Sequence, residues 1–289
     1  MSTDPPGNTS HRRGRPLGTH RVIRRALAVA CLVAVAGLPA RPVPASPAPT
    51  TLIVAQMNLC NSGRAGCYTG RSLARAAELV RAERPDLVTL NEICQDDVPS
   101  LAAVFARAHG GAEVVSAFQS AGDRPSGADT LCRNGQAYGI GLLTRLPWAG
   151  SRYAVHSGIH RTQDLADPEE RPWLCVHVDG ALNACTTHLA ATSHAVALAQ
   201  CGDLLDEILP AIGPRTGYAR TVLSGDLNLR VDDVGSCVPP GHHRVGDGAV
   251  QHLVTSADVT LCCARSVGMG GATDHPALLA TLVVDGARR

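Results

Sequence analysis

The chain has 289 residues, 45% of them hydrophobic and only 3% aromatic, with a formal net charge of +1. That is enough apolar material for one large domain or two small ones, and the scarcity of aromatic side chains argues against a surface that inserts into lipid. The charge is unevenly spread: from Ser46 onward 19 arginines face 24 acidic residues, which excludes capture of nucleic acid by bulk attraction, so a phosphate-rich substrate must be caught by local arginines or a metal.

Residues 1–25 hold six arginines against the single acid Asp4, and Ala26 to Leu38 is a run of apolar and small residues. The run is shorter than the roughly 20 residues a membrane-spanning helix needs. It reads as a secretory signal and linker over residues 1–45, cleaved after Val43-Pro44-Ala45, with a membrane anchor as the alternative and Arg24-Arg25 compatible with twin-arginine export. The mature domain is then residues 46–289, secreted and extracellular. Ten of the 11 cysteines fall in it, an even number that predicts as many as five disulfides and no free thiol. Closeness favours Cys60 with Cys67, and Cys175 with Cys185 across a hairpin turning near Asp179-Gly180-Ala181; Cys94 with Cys132 is a further pairing. Adjacent Cys262 and Cys263 are expected to bond to different partners, since their own ring would be strained. No C-x-x-C meets a second one, so a structural zinc site is not expected.

Thr51 to Met57 reads as a strand ending at Asn58. Leu73, Ala76, Ala77 and Val80 then share one helix face, Pro85 stops that helix, and Asp86 to Leu90 is a short buried strand followed by Asn91-Glu92. Leu101, Val104, Phe105 and Ala108 mark a second helix, ended by Gly110-Gly111. Short strands follow at Glu113 to Gln119, Tyr138 to Thr144, Ser151 to His156, Trp173 to Val178 and Leu182 to Thr187. Ser120 to Gln136 is a long polar connection near the functional edge, and Thr162 to Pro172, rich in Asp, Glu and Pro, reads as an exposed loop. Ala197, Cys201, Leu204, Leu205 and Ile208 form a third helical face, closed by Pro210 and Gly213. Residues 231–248 read as an irregular loop whose His242 and His243 lie at the surface. Val250 to Thr255, Asp258 to Cys262 and Ala277 to Val284 are the late strands.

The strand Thr221-Val222-Leu223-Ser224 breaks at Gly225 and at once offers Asp226 and Asn228, a carboxylate and a carboxamide two residues apart. Alone, Gly-Asp-x-Asn is ordinary turn chemistry. Asn58, Glu92, His188 and Asp274-His275, however, each stand beside a similar apolar run, and five such strand ends point to one site. Strand, helix, strand at the start and again over Leu182 to Ser224 suggest two halves, each a sheet covered by helices on one side. Face to face they make a four-layer α/β/β/α sandwich.

The order Asn58, Glu92, Thr186-Thr187-His188-Leu189, Gly225-Asp226-Leu227-Asn228, Thr273-Asp274-His275 resembles the endonuclease/exonuclease/phosphatase superfamily, over about residues 51 to 284. The resemblance implies the deoxyribonuclease I-like sandwich and a monomeric Mg²⁺-dependent phosphoesterase, with Mn²⁺ or Ca²⁺ as alternative ions. It implies Asn58, Glu92 and Asp274 at the metal, Asp226 readying the attacking water, Asn228 on a phosphate oxygen, His275 on a non-bridging oxygen, and His188 meeting the phosphate or protonating the leaving oxygen. Two departures stand out. Asn91 replaces the usual Gln before the glutamate, and Gln251 stands where the family carries an aspartate that buttresses the catalytic histidine. The substrate expected is a phosphodiester, DNA or RNA among the candidates, with Arg64, Arg133, Arg161, Arg230 and Arg244 on loops near the site. The alternatives are a phosphomonoesterase or phospholipid head-group hydrolase, or an inactive disulfide-stapled binding domain motivated by Gln251.

Overall fold

A computed structural model describes residues 49–145, 152–179, 181–212 and 220–284. The leader, Trp148, Gly180 and Gly213 lie outside the described residues. Two six-stranded sheets face each other. The first takes β1 (Thr50–Asn58), β2 (Leu87–Cys94), β3 (Val115–Ser120), β6 (Tyr138–Thr144), β14 (Val259–Val267) and β15 (Ala277–Val284) in the order β14-β15-β1-β2-β6-β3. The second, in the order β12-β13-β11-β10-β9-β7, takes β7 (Tyr153–Ile159), β9 (Pro172–Val178), β10 (Leu182–Thr187), β11 (Thr221–Asp226), β12 (His243–Gly246) and β13 (Gln251–Thr255). The small strands β4 (Gly122–Asp123), β5 (Ala128–Asp129) and β8 (Glu169–Glu170) make a third, three-stranded sheet.

Helices α1 (Ser72–Glu83) and α2 (Asp97–Ala108) cover the outer face of the first sheet, bringing Ala76, Val80, Leu101 and Phe105 into one core with Val88 and Leu90 of β2. The periodicity expected these faces, and each fully buried Leu, Val or Phe contributes about 1.5–3 kcal/mol. α3 (His194–Gly202) covers the second sheet, capped by the Ser193 hydroxyl, which accepts a hydrogen bond from the Val196 N–H. It runs on through a π-helical turn, Asp203–Ile208, and a last turn, Leu209–Ala211, so Pro210 lies inside the helix end. A third core fills the space between the sheets with Leu142, Leu174, Val176, Val222, Leu253 and Leu282. The four-layer sandwich is therefore as the sequence pattern implies. Among the described residues no helix is long and apolar enough to cross a membrane.

Three expected disulfides form: Cys60–Cys67, Cys94–Cys132 and Cys175–Cys185. A fourth, Cys201–Cys237, ties α3 to the loop after β11. Cys262 and Cys263 are free and exposed, which corrects the expectation of a fully oxidised chain. The strand predicted over Ser151 to His156 runs instead from Tyr153 to Ile159, and residues 243–246 of the expected loop are a strand paired to β13.

Candidate active site

Sheet direction explains why distant residues meet. β1 and β2 are parallel, as are β10 and β11, so their C-terminal ends share an edge; β15 is antiparallel to β1, which brings its start to the same edge. Asn58, Glu92, His188, Asp226 and the pair Asp274-His275 are delivered there. Glu92 is part of β2 rather than the turn after it: the register against β6 slips between Leu90 and Ile93, and Glu92 takes a left-handed φ of 55°. Such a bulge re-aims a side chain that a regular strand would send elsewhere. Cys60, at φ 44°, and Asn228, at φ 49°, are strained in the same way beside it. Gly225 is required by close approach, since a Cβ there would lie 2.2 Å from the Thr187 carbonyl oxygen. That contact lets His188 bridge to Asp226 and lets the Leu189 N–H donate to the Asp226 carbonyl at 3.0 Å.

The Asn58 carboxamide donates from Nδ2 to Glu92 Oε1 at 2.7 Å and to Asp226 Oδ2 at 3.0 Å, holding two carboxylates side by side. Asp226 is 1% exposed; its Oδ1 accepts from the Asn228 N–H, and His275 Nε2 stands 3.7 Å from Oδ2. Burial raises the Asp226 pKa above the ordinary carboxylate value, against the lowering effects of Asn58 and His275. Burial also raises Glu92, with further upward push from Asp226 and Asp274. Asn91, the departure from the usual Gln, supports the site from below: its Oδ1 accepts from the Asp226 N–H at 2.8 Å and from Gln56, and its Nδ2 donates to the Thr187 carbonyl. One amide thus joins the two sheets.

The expectation for Thr162 to Pro172 fails in an informative way. Arg171 is 4% exposed, bonded to Asp167 at 2.7 Å and Glu169 at 3.0 Å, and its Nη1 lies 3.2 Å and 3.3 Å from the two ring nitrogens of His188. Burial first, and then the Arg171 charge, hold the His188 pKa well below its usual value, so the ring is neutral. Glu169 is pushed up to about 7 by burial, with Arg171 pulling the other way. A carboxyl whose native pKa exceeds its value of 4.5 binds its proton more tightly in the native state, so its contribution to stability falls as pH rises from 4.5 toward 7. Glu169→Gln is expected to flatten that fall, read as Tm measured from pH 4 to 8; an unchanged slope overturns the assignment.

Gln251 does not buttress a histidine. Its Oε1 accepts from the Asn58 N–H at 3.2 Å and from Gln56 Nε2, and its Nε2 donates to Asp247 Oδ2 and to the Pro276 carbonyl. The carboxylates near His275 are Asp226 and Asp274, each at 3.7 Å. Residue 251 pairs with Asp226 across β11 and β13, and its carboxamide spans from the end of β1 to the start of β15. Gln251→Ala strands the buried groups it served, at about 1–3 kcal/mol for each. We expect a Tm lower by several degrees, with neither limb of the pH-rate profile displaced; a displaced limb would restore contact with a histidine.

These side chains line a cleft of about 400 Å³ with Glu92, Asp226, Asn228, His275, His188, Arg171, Tyr138 and Arg64 on its walls. A family model, endonuclease/exonuclease/phosphatase, matches residues 55–275, which is most of the chain and includes every candidate residue. The chain belongs to that family. Members of the endonuclease/exonuclease/phosphatase family are phosphoesterase hydrolases, metal-dependent in general, and the chain is an enzyme of this kind. Solved structures agree on the fold. An endonuclease/exonuclease/phosphatase from Beutenbergia cavernae is 20% identical, with a TM-score of 0.56 over 82% of this chain and 72% of that one. A family protein from Bacteroides thetaiotaomicron is 15% identical, with a TM-score of 0.57 over 82% and 99%. D. rerio TDP2 complexed with single strand DNA product is 18% identical, with a TM-score of 0.54 over 81% and 99%. No curated protein matches the chain.

The donor set fits the divalent ion the family implies. Glu92 and Asp226 line the cleft, Asp274 lies beside it with Oδ1 3.7 Å from His275, and no arginine or lysine is bonded to any of the three among the described residues. Clustered hard oxygens without a neutralising cation suit such an ion. Asn58 fits less directly, because its oxygen accepts the Cys60 N–H at 3.1 Å while its N–H groups face the carboxylates. The sulfurs of Cys60 and Cys67 lie close to Asp274 but are spent in their disulfide. Of the five loop arginines expected near the site, Arg64 lines the cleft, Arg161 pairs with Glu207 and Arg244 bonds the Val231 carbonyl.

Proposed function

We propose that the chain is a secreted, Mg²⁺-dependent phosphodiesterase, nuclease-like in the bond it cleaves. The observation that carries the reading is Asp226: a buried carboxylate of raised proton affinity, 3.7 Å from His275 and joined through Asn58 to Glu92 at the mouth of a cleft. A base so tuned accepts a proton from water more readily than an exposed aspartate. Glu92 and Asp274 hold the ion, with Asn58 fixing the spacing of Glu92. When bound, the ion offsets charge on the phosphoryl oxygens. Asn228 donates one Nδ2–H to the Leu189 carbonyl at 2.8 Å and keeps the other for a phosphate oxygen. His275 serves a second such oxygen. His188, neutral and bonded to Arg171, acts as a hydrogen-bond donor and not as the source of a proton for the leaving oxygen.

A smaller phosphoester is the second reading, and one observation favours it: the Arg171 charge is matched by Asp167 and Glu169, leaving Arg64 as the one cleft arginine free of a carboxylate among the described residues. Plasmid DNA, RNA, sphingomyelin and a chromogenic phosphodiester, each with Mg²⁺ and with chelator, separate the readings. Chelator-sensitive cleavage of DNA or RNA is expected. Turnover of only the lipid or the small ester moves the assignment to the second reading, and turnover of none overturns the phosphodiesterase assignment.

Export is supported by the arginine-rich leader and by four disulfides. The mature protein is expected to begin near Ser46 and to gain two hydrogens per disulfide on reduction, read by intact mass. A retained leader sinks this reading.

A further inference from the structure

Cys262 and Cys263 are the free cysteines among the described residues, and the strand that carries them is built to present both on one side. Leu261 pairs with Leu282, a residue of the core between the sheets, and itself packs on that core, so Leu261 points inward. Arg265 pairs with Leu279 of the outer core and bonds Glu83 at the end of α1, so Arg265 points outward. Counting one residue on from Leu261 and two back from Arg265 sends both cysteines outward. Regular alternation forbids that for neighbours; the slip in register between Leu261 and Cys263 permits it by inserting Cys262 as an extra residue. Both thiols are exposed, on a strand at the open edge of its sheet, and the neighbouring Cys263 raises the pKa of the Cys262 thiol.

We propose that Cys262 and Cys263 form a dithiol site for a soft, thiophilic ion or electrophile that takes two sulfurs at once, such as a monovalent d10 cation or trivalent arsenic. Soft thiolates select such partners over hard ions, which separates this site from the carboxylate cleft. Bulge geometry pre-pays the cost of bringing the second sulfur to the ligand, so the pair binds as a chelate. The alternative fate, an internal disulfide between neighbours, closes a strained ring.

Phenylarsine oxide is the probe. Its trivalent arsenic bonds both sulfurs, its oxygen leaves as water with the two thiol protons, and no electron is transferred. The exported protein, never reduced, is incubated with the probe and read by native mass. One phenylarsenic adduct per chain is expected, removed by a 1,2-dithiol and resistant to a monothiol, with phosphodiesterase activity unchanged. Cys262→Ser and Cys263→Ser, both at exposed positions, should each weaken binding about 10²–10⁴-fold, the range for losing an intramolecular second contact. Equal binding by wild type and either single variant overturns the proposal. So does an unreduced wild type with no titratable thiol and no adduct.

Discussion

Asp226→Asn is expected to lower kcat by about 10³-fold, near the middle of the range for loss of a positioned general base, and excess metal should not restore it. The substitution keeps shape and removes charge. Asp226 sits in β11, fixed by the Asn91 oxygen on its N–H and by Asn58 on its carboxylate, so the variant side chain stays in place. What changes is the proton affinity that burial has raised in the wild type. An amide cannot take a proton from water, and if its N–H turns toward Asn58 it meets another donor. KM should move little, because the cleft walls and Asn228 are untouched. A fall in kcat of less than tenfold, measured on the substrate identified by the panel above, would place the base elsewhere.

How much of this was legible before the fold was known differs between backbone and site. α1 and α2 were readable because one face of each is buried in a single core, which forces a period on the sequence, and β1, β6 and β10 because burial on both faces leaves short uncharged runs. β14 was cut short at Cys262 because its middle is exposed on both faces and interrupted by the bulge, so no period survives there. The site residues were visible at strand ends because parallel pairs must present their C-terminal ends together. Arg171 was invisible for the opposite reason. A segment of Asp, Glu and Pro has the composition of a solvated loop, and it is the contact with His188, 17 residues on, that sets Arg171 into the site. Gln251 shows a further limit. Its position was identified, but its partners lie on β1 and ahead of β15, more than 20 residues away in either direction for Asn58 and Pro276. Cys201–Cys237 joins a helix to an irregular loop, and a separation of 36 residues offered no hairpin to suggest it.

Glu92→Gln is the second large effect, and its signature differs from that of Asp226→Asn. Glu92 has one oxygen on Asn58 and no bonded arginine or lysine among the described residues, so its charge is available to a cation. Removing that charge should weaken divalent binding by at least the roughly 10–100-fold seen when a mere outer partner of a metal ligand is lost. Binding is measured directly, by calorimetry with Mg²⁺ and by the spin signal of Mn²⁺, independently of turnover. At low Mg²⁺ the variant should be nearly inactive; raising the ion should recover part of kcat, because Asp226, Asn228 and His275 remain in place. Asp226→Asn, by contrast, should retain most of its metal affinity and stay slow at any concentration. The two variants therefore separate holding the ion from readying the water. Wild-type metal affinity in Glu92→Gln, or full rescue of Asp226→Asn by excess ion, would reverse the two assignments.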